Sequence, residues 1–224
     1  MDLGQRASAV EGTIVITDNQ YSGRGQRGNL WISEPGKNLT FSVLLKPNVR
    51  PDQQFVLTQV VALAVADYIT TKTNAVKIKW PNDILVNEKK ICGILIESSL
   101  SGAVVQFVIA GAGLNINQTV FQNPRATSLK LETGKEFNLN TELHELLHAV
   151  EVRYLQLREG NFAKLQNDYL QRLYRLGEQH EFKTGSEVVK GSIESVDEQG
   201  RLQVKIDGAT KAFNLKEISF ADWA

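Results

Sequence analysis

The fold is decided by one stretch of the chain, residues 77–97, which reads KIKWPNDILVNEKKICGILIE. Apolar residues alternate with lysines up to Trp80, and two further apolar runs follow at 84–86 and 91–96. Short turns rich in Asn, Asp and Lys separate these runs, a pattern typical of strands. Connections this short join antiparallel neighbours, because a parallel crossover needs about a dozen residues or more. The stretch therefore predicts a mostly antiparallel sheet.

Three more runs of β-branched and apolar residues predict strands on either side of this stretch, at 13–17, 38–45 and 104–110. The segment between the first two contains residues 21–28, which read YSGRGQRG. Three glycines and two arginines in so short a segment predict a loop rather than a strand or a helix.

Three helices are predicted between these strands and beyond them. Pro51 suits the first turn of a helix, where its missing N–H costs least, and the run 55–69 is almost continuously apolar. A helix that is apolar on all sides is buried, so we expect this one in the core. Two more helices are predicted at about 141–158 and 161–176, and Gly177 is the stop signal of the second.

From His180 onward the sequence changes to short strands interrupted by glycines. This change predicts a domain boundary, with residues 1–177 forming one domain and 178–224 a smaller one. The strands and helices of the larger part predict an α+β class with two layers. In that class a mixed, mostly antiparallel sheet packs on helices.

The composition excludes several classes of protein. The 224 residues carry 25 Lys and Arg and 25 Asp and Glu, and a net charge of +0 argues against a nucleic-acid-binding protein. A single cysteine, Cys92, excludes an internal disulfide and fits a reducing compartment. The chain shows neither a signal-peptide-like start nor an apolar run of about 18 residues. We therefore expect a cytoplasmic protein that does not bind membranes.

Residues 23–28 read GRGQRG, which matches the dinucleotide-binding pattern G-x-G-x-x-G. That function requires a helix to begin at the last glycine, but residues 29–36 read NLWISEPG and predict turns instead. Two interpretations stay open: an ordinary surface turn, and an anion-binding loop. The second is favoured, because glycines expose backbone N–H groups beside the permanent charges of Arg24 and Arg27.

Residues 144–148 read HELLH, which matches the zinc-protease pattern H-E-x-x-H. The apolar residues around the two histidines repeat at helical spacing and explain an amphipathic helix without a metal. The one other histidine is His180, in the smaller predicted domain, so a third imidazole ligand is not at hand. We therefore expect no zinc site on this helix.

Lys79 is the most informative single residue of the opening stretch. It alternates with Trp80, so it points away from the core, towards solvent or a ligand. A lone lysine of this kind most often faces solvent. Pro81, however, ends the strand and places Asn82 and Asp83 at a turn beside it.

A second weak signal follows the predicted strand 104–110, where residues 111–115 read GAGLN. Glycines at this point let a ligand approach the backbone closely, and Asn115 offers both a donor and an acceptor.

Taken in order, five segments of the chain resemble the biotin–protein ligase family. They are EGTIVITDNQYSGRGQRGNLW (11–31), KIKWPNDILVNEKKICGILIE (77–97), FVIAGAGLNIN (107–117), GSIESVDEQGRL (191–202) and KEISF (216–220). The resemblance implies a mixed sheet packed on helices, followed by a small C-terminal Src-homology-3-like β-barrel. It also implies a reaction in two steps. Biotin and ATP form biotinyl-5′-adenylate and pyrophosphate, and a carrier lysine then takes the biotinyl group and releases AMP.

The resemblance also implies the residues of the site. The expected catalytic cations are Lys79, Arg24 and Arg27. The expected biotin- and adenylate-binding residues are Gln20, Gly23, Arg24, Gly25, Gln26, Arg27, Trp31, Lys79, Asn82, Gly93, Gly111, Gly113 and Asn115. Magnesium is implied as the partner of ATP, with ligands that the sequence does not identify. The implied partner is the biotin carboxyl carrier domain of a biotin-dependent carboxylase.

Three departures from the family pattern affect these expectations. Many members have arginine where Gln26 stands, so the adenylate could be retained with a different strength. No DNA-binding domain precedes the catalytic region, so a repressor role is not expected. The family's upstream Ser-Thr-Asn turn, which binds biotin, does not occur in the chain. Losing its hydrogen bonds is expected to weaken biotin binding roughly tenfold to a thousandfold.

Two consequences of that third departure are also expected. Apolar surface would be exposed on the 55–69 helix, which would favour self-association into a homodimer. The alternatives to a working biotin ligase are a lipoate–protein ligase-like enzyme and a truncated ligase with little activity.

Overall fold

The structure is a computed structural model that describes residues 10–25, 30–102 and 104–223. Two of the expected site residues, Gln26 and Arg27, therefore lie outside the described residues, as does the last glycine of the 23–28 segment.

The larger part is built on a sheet of six strands. They are β1 (Ile14–Ile16), β4 (Leu39–Leu45), β5 (Val76–Lys79), β6 (Asp83–Val86), β7 (Lys89–Ser101) and β8 (Val104–Leu114). Their order in the sheet is β1-β4-β8-β7-β6-β5. Neighbouring strands pair antiparallel throughout, and the longest pairing joins β7 and β8. The prediction of a mostly antiparallel sheet is confirmed.

Two very short strands, β2 (Gly23–Arg24) and β3 (Leu30–Trp31), pair with each other outside this sheet. Within the segment predicted to be a loop at 21–28, Gly23 and Arg24 therefore form a strand instead. Gly23 pairs with Trp31 and Arg24 with Leu30.

The described residues form four helices: α1 (Phe55–Thr70), α2 (Leu129–Thr133), α3 (Leu139–Arg158) and α4 (Phe162–Gln171). Pro51 opens a 3-10 turn, Pro51–Gln53, directly before α1. Helix α1 is buried along nearly its whole length, because it lies between the sheet and the helices α3 and α4. The expectation that this helix exposes apolar surface is therefore wrong. Among the described helices, none is long and apolar enough to cross a membrane.

The helix boundaries differ from the prediction where tertiary hydrogen bonds compete. Helix α4 ends at Gln171 instead of 176, because the following residues leave the helix and run beside β5. The Ile78 N–H donates to the Arg172 carbonyl at 2.8 Å, and the Tyr174 N–H donates to the Ile78 carbonyl at 2.8 Å. The short helix α2 was not predicted, although Ser128 caps its start by accepting from the Leu131 N–H.

The smaller part is a five-stranded antiparallel sheet. Its strands are β9 (Gln179–Thr184), β10 (Glu187–Val196), β11 (Leu202–Ile206), β12 (Ala209–Phe213) and β13 (Ser219–Phe220), followed by a 3-10 turn, Ala221–Trp223. Their order is β12-β11-β10-β9-β13. The buried side chains of this sheet, such as Phe182 and Val204, are continuous with the core of the larger part. The two parts meet where the Trp80 indole N–H donates to the Gly200 carbonyl at 2.9 Å.

Candidate active site

A cavity of about 310 Å³ lies between the two sheets, and most of the expected site residues border it. Its walls come from four places in the fold: the middle of the main sheet, the β2–β3 hairpin, the turn between β5 and β6, and the last strand of the second sheet. The expected residues on its walls are Gln20, Arg24, Gly25, Trp31, Lys79, Asn82, Gly93, Gly111 and Gly113.

The floor of the cavity is a pair of glycines on neighbouring strands. Gly93 on β7 pairs directly with Gly113 on β8. The Trp31 indole lies on this pair, since a Cβ atom on Gly113 would come within 2.4 Å of its Nε1 and one on Gly93 within 3.2 Å of its ring. Strand β8 was predicted to end at 110, but it continues through both of its glycines to Leu114. Glycine at these positions therefore leaves space for the Trp31 indole to pack directly on the strands.

The turn that carries Lys79 is braced by buried hydrogen bonds on several sides. The Tyr169 hydroxyl on α4 donates to the Pro81 carbonyl at 3.0 Å, and the Asn82 side-chain amide donates to the Ile94 carbonyl. Burial raises the pKa of the Tyr169 phenol, so this group stays a neutral donor at pH 7. Together with the bond from Trp80 to Gly200, these contacts fix the backbone at Lys79.

Lys79 itself reaches towards two aromatic rings from the second sheet. Its Nζ lies 4.6 Å from the centre of the Trp223 ring and 5.6 Å from that of Phe220. An ammonium within about 6 Å of an aromatic ring is attracted to the electron-rich face of that ring. Both aromatic residues also border the cavity.

Five charged side chains border the cavity within the described residues; Lys79 and Arg24 were expected there, and Asp83 was expected only at the turn beside Lys79. The Lys90 Nζ lies 2.6 Å from the Asp83 carboxylate, and a guanidinium nitrogen of Arg24 lies 3.7 Å from that of Glu97. Lys90 and Glu97 were missed because a charge on a strand usually faces solvent. The sequence offered one hint of further charged residues at this site, namely Asp83, which follows Pro81 closely in the turn.

Gly23 and Asn115 do not border the cavity, although both were expected to bind the ligand. A Cβ atom on Gly23 would lie 2.2 Å from the Trp31 carbonyl oxygen, so the glycine is required by the fold of the hairpin. Asn115 is buried, and its side-chain amide donates to the Thr127 carbonyl at 2.9 Å. Its Oδ1 is buried without a hydrogen-bond partner among the described residues, so one acceptor remains there.

The two histidines of the HELLH segment lie on the exposed side of α3. The buried side of that helix consists of residues at helical spacing, including Leu146, Val150 and Tyr154. This packing accounts for the helix without a metal, and the absence of zinc there stays a prediction.

The arrangement suits the chemistry of an anionic substrate that changes its charge during reaction. Arg24, Lys79 and Lys90 bring three positive charges to one cavity, and two carboxylates are close enough to accept hydrogen bonds or a proton. Cations fixed before the reaction stabilise developing negative charge without the cost of reorganisation.

Comparisons with known proteins point to one family. A family model described as "Biotin/lipoate A/B protein ligase family" matches residues 5–115. The chain is 33% identical over 215 residues to the biotin--[acetyl-CoA-carboxylase] ligase of Paracoccus denitrificans, covering 92% of this chain and 89% of that relative. It is 30% identical over 217 residues to the bifunctional ligase/repressor BirA of Bacillus spizizenii, covering 94% of this chain and 67% of that relative.

A solved structure shows the same architecture. Biotin protein ligase from Aquifex aeolicus, in complex with biotin and ATP, matches this structure with a TM-score of 0.79 and 28% identity. The match covers 96% of this chain and 90% of that one. It therefore includes both sheets and the cavity between them.

Proposed function

The chain belongs to the biotin–protein ligase family, enzymes that use ATP to biotinylate proteins through biotinyl-5′-adenylate, and we propose that the residues around its cavity perform both steps. The observation that carries this proposal is the meeting of Lys79, Arg24 and Lys90 around one cavity of about 310 Å³. The lower end of the volume range of small-molecule sites is about 300 Å³.

In the first step the biotin carboxylate oxygen attacks the α-phosphorus of ATP. A bond from this oxygen to phosphorus forms, and the bond from phosphorus to the pyrophosphate oxygen breaks. Two anions must approach each other, so the barrier falls when cations neutralise their charge. We assign this role to Lys79, whose backbone is fixed by the Pro81 turn, and to Arg24 on the β2–β3 hairpin. Arg27 is proposed as a third cation from the resemblance alone.

In the second step the neutral amine of a carrier lysine attacks the carbonyl carbon of the adenylate. The new C–N bond forms, AMP leaves with the electron pair of the anhydride oxygen, and the amine loses a proton. A lysine amine is mostly protonated at pH 7, because its ordinary pKa is about 10.4. We propose that Asp83, which borders the cavity, orients this amine and accepts its proton. Lys90, 2.6 Å away, keeps this carboxylate in place.

The adenine ring is proposed to bind near Asn115. The buried Oδ1 of this residue lacks a partner among the described residues, and an exocyclic amine of adenine would satisfy it. The Asn115 side chain lies beyond the cavity wall, so the segment that follows it would have to adjust when the nucleotide binds.

Magnesium is proposed to accompany ATP. Among the described residues, no three His, Cys, Asp or Glu side chains lie together to hold a metal ion, and Mg²⁺ that accompanies ATP usually needs only one or two carboxylates beside the phosphates. Asp83 and Glu97, the carboxylates on the cavity, each lie beside a cation. Bound to ATP, the ion supplies positive charge to the phosphates. The two steps described above assign roles only to side chains of this protein.

The carrier, the compartment and the domain division also belong to this proposal. The proposed acceptor is the biotin carboxyl carrier domain of a biotin-dependent carboxylase, by resemblance to the relatives. A reducing compartment such as the cytoplasm is supported by the single cysteine, Cys92, which is a buried free thiol. The division into 1–177 and 178–224 is supported by the two separate sheets.

The experiment that tests the function supplies biotin or lipoate with MgATP and the matching carrier domain, and measures the mass of each carrier. We expect one biotinyl group on the biotin carrier and no lipoyl transfer. Lipoyl transfer alone would make the chain a lipoate ligase, and no transfer to either carrier would contradict the proposal.

A further inference from the structure

The segment Phe220–Trp223 lies at the cavity although it belongs to the second sheet. Phe220 is the last residue of β13, and Trp223 ends the 3-10 turn that follows. Both border the same cavity as Lys79, and both rings lie within 6 Å of its ammonium nitrogen. We propose that Trp223 is a positioning residue that holds the Lys79 ammonium in the cavity for the adenylation step.

An aromatic ring holds a cation in a way that a carboxylate does not. The Lys90 ammonium is held at 2.6 Å by the Asp83 carboxylate, a partner of opposite charge. The Trp223 ring attracts the Lys79 ammonium through its quadrupole and adds no net charge. This contact therefore orients the Lys79 ammonium towards the cavity that both residues border.

The Lys79 side chain has a flexible stem. The backbone of β5 is fixed, but four methylene groups separate it from the ammonium. Tryptophan is the aromatic side chain that attracts cations most strongly. A ring at the end of the stem therefore limits the positions that the ammonium occupies.

The Trp223 ring is itself anchored from three sides. The Arg175 guanidinium donates two hydrogen bonds, at 2.9 and 2.8 Å, to the carboxylate of the preceding residue, Asp222. The Tyr174 ring meets the Trp223 ring edge-on at 6.2 Å between centres. The Arg125 guanidinium lies 5.0 Å from the centre of the indole. Trp223 therefore links Lys79 to Arg125 and to Tyr174 and Arg175, which follow α4.

The consequence for catalysis rests on the proposed function, and the test measures pyrophosphate release with biotin and MgATP. Four proteins are compared: the wild type, Trp223→Ala, Lys79→Met and the double variant. We expect Trp223→Ala to slow release about fivefold with Lys79 present and to add no further loss to Lys79→Met. A loss of the same size in both backgrounds would overturn the proposal, because Trp223 would then act without Lys79.

Two further variants separate positioning from folding. Trp223→Phe keeps an aromatic ring and should stay within about twofold of the wild type. Phe213→Ala removes a partly buried aromatic side chain from the same sheet, away from the cavity. Its effect should be the same in the wild-type and the Lys79→Met backgrounds. If Trp223→Phe is as slow as Trp223→Ala, the aromatic ring is not the active feature and the proposal fails.

A readout without turnover distinguishes failure of this inference from failure of the proposed function. The native protein is treated briefly with acetic anhydride, and acetylation of Lys79 is measured by mass spectrometry relative to Lys77, an exposed lysine of the same strand. Trp223→Ala should increase this ratio, and an unchanged ratio overturns the inference. If the wild type releases no pyrophosphate with biotin, the proposed function fails, while the labelling ratio still decides whether Trp223 holds Lys79.

Discussion

The β5–β6 turn and the β2–β3 hairpin each bring a cation to the same cavity, but they hold it differently. Lys79 is the half-buried last residue of β5, next to a turn braced by Tyr169 and Trp80. Arg24 stands on a two-residue strand, with 69% of its side chain exposed. The two charges therefore differ in their support: buried hydrogen bonds hold the backbone beside Lys79, whereas Arg24 lies on a short, exposed strand.

The largest expected difference between the two regions is in stability. Trp80 is 5% exposed, and Tyr21, beside the hairpin, is 93% exposed. Trp80→Ala should lower the free energy of unfolding by about 3–5 kcal/mol, because it leaves a cavity in the core. Tyr21→Ala should change it by no more than about 0.5 kcal/mol. Urea denaturation measures both free energies. Equal losses would show that the two regions contribute equally to stability.

A second, smaller difference concerns the glycine floor on which the hairpin residue Trp31 lies. Gly113→Ala places a methyl group 2.4 Å from the Trp31 Nε1, whereas a Cβ on Gly111 meets only ordinary contacts, the nearest at 3.5 Å. Gly113→Ala should therefore cost about 1–3 kcal/mol of unfolding free energy, or displace the indole and weaken biotin binding.

Gly111→Ala, two residues earlier on the same strand, is the matched control. It should change the free energy of unfolding by less than about 0.5 kcal/mol. Urea denaturation is the readout of this comparison, because Gly111 itself borders the cavity and is no control for biotin binding. If both substitutions change the free energy of unfolding equally, the packing of Trp31 does not require glycine at position 113.

The smallest expected effect is on local motion. The sequence predicts that hydrogen exchange at residues 23–28, of which 26–28 lie outside the described residues, slows when biotin and MgATP are added, because a bound anion would offset the repulsion between the two arginines. Exchange at Ile78, whose N–H is already bonded to the Arg172 carbonyl, should stay unchanged. Equal exchange at residues 23–28 with and without ligand, in a sample shown to bind, would contradict this prediction.

Much of the fold was predictable because local signals and tertiary packing agree. The short connections in 77–97 allow only antiparallel neighbours, and the all-apolar α1 has to be buried. The end of α4 was not predictable. The residues after Gln171 are compatible with a helix, and only the competing bonds to Ile78 draw them away.

Site residues were predictable where a local sequence pattern points to them. They were not predictable where their position depends on how two strands align or on contacts between distant parts of the chain. Alternation and the proline that follows single out Lys79 only weakly, and the resemblance implies its role. The pairing of Gly93 with Gly113 depends on how β7 and β8 align, and the meeting of Lys79 with Trp223 joins residues far apart in the chain. Neither contact leaves a local pattern in the sequence. The resemblance supplied Gly93 and Gly113 as expected ligand residues, whereas the structure places Trp31 on them.

The central claim is that Lys79 is the fixed cation of the adenylation step, and the most direct test is the rate of pyrophosphate release by two single variants with biotin and MgATP. Lys79→Ala should slow release at least about tenfold, equivalent to about 1.4 kcal/mol of barrier. Lys77→Ala removes an exposed lysine from the same strand, away from the cavity, and should leave the rate within about twofold of the wild type. A folded Lys79→Ala protein that releases pyrophosphate at the wild-type rate would contradict the claim.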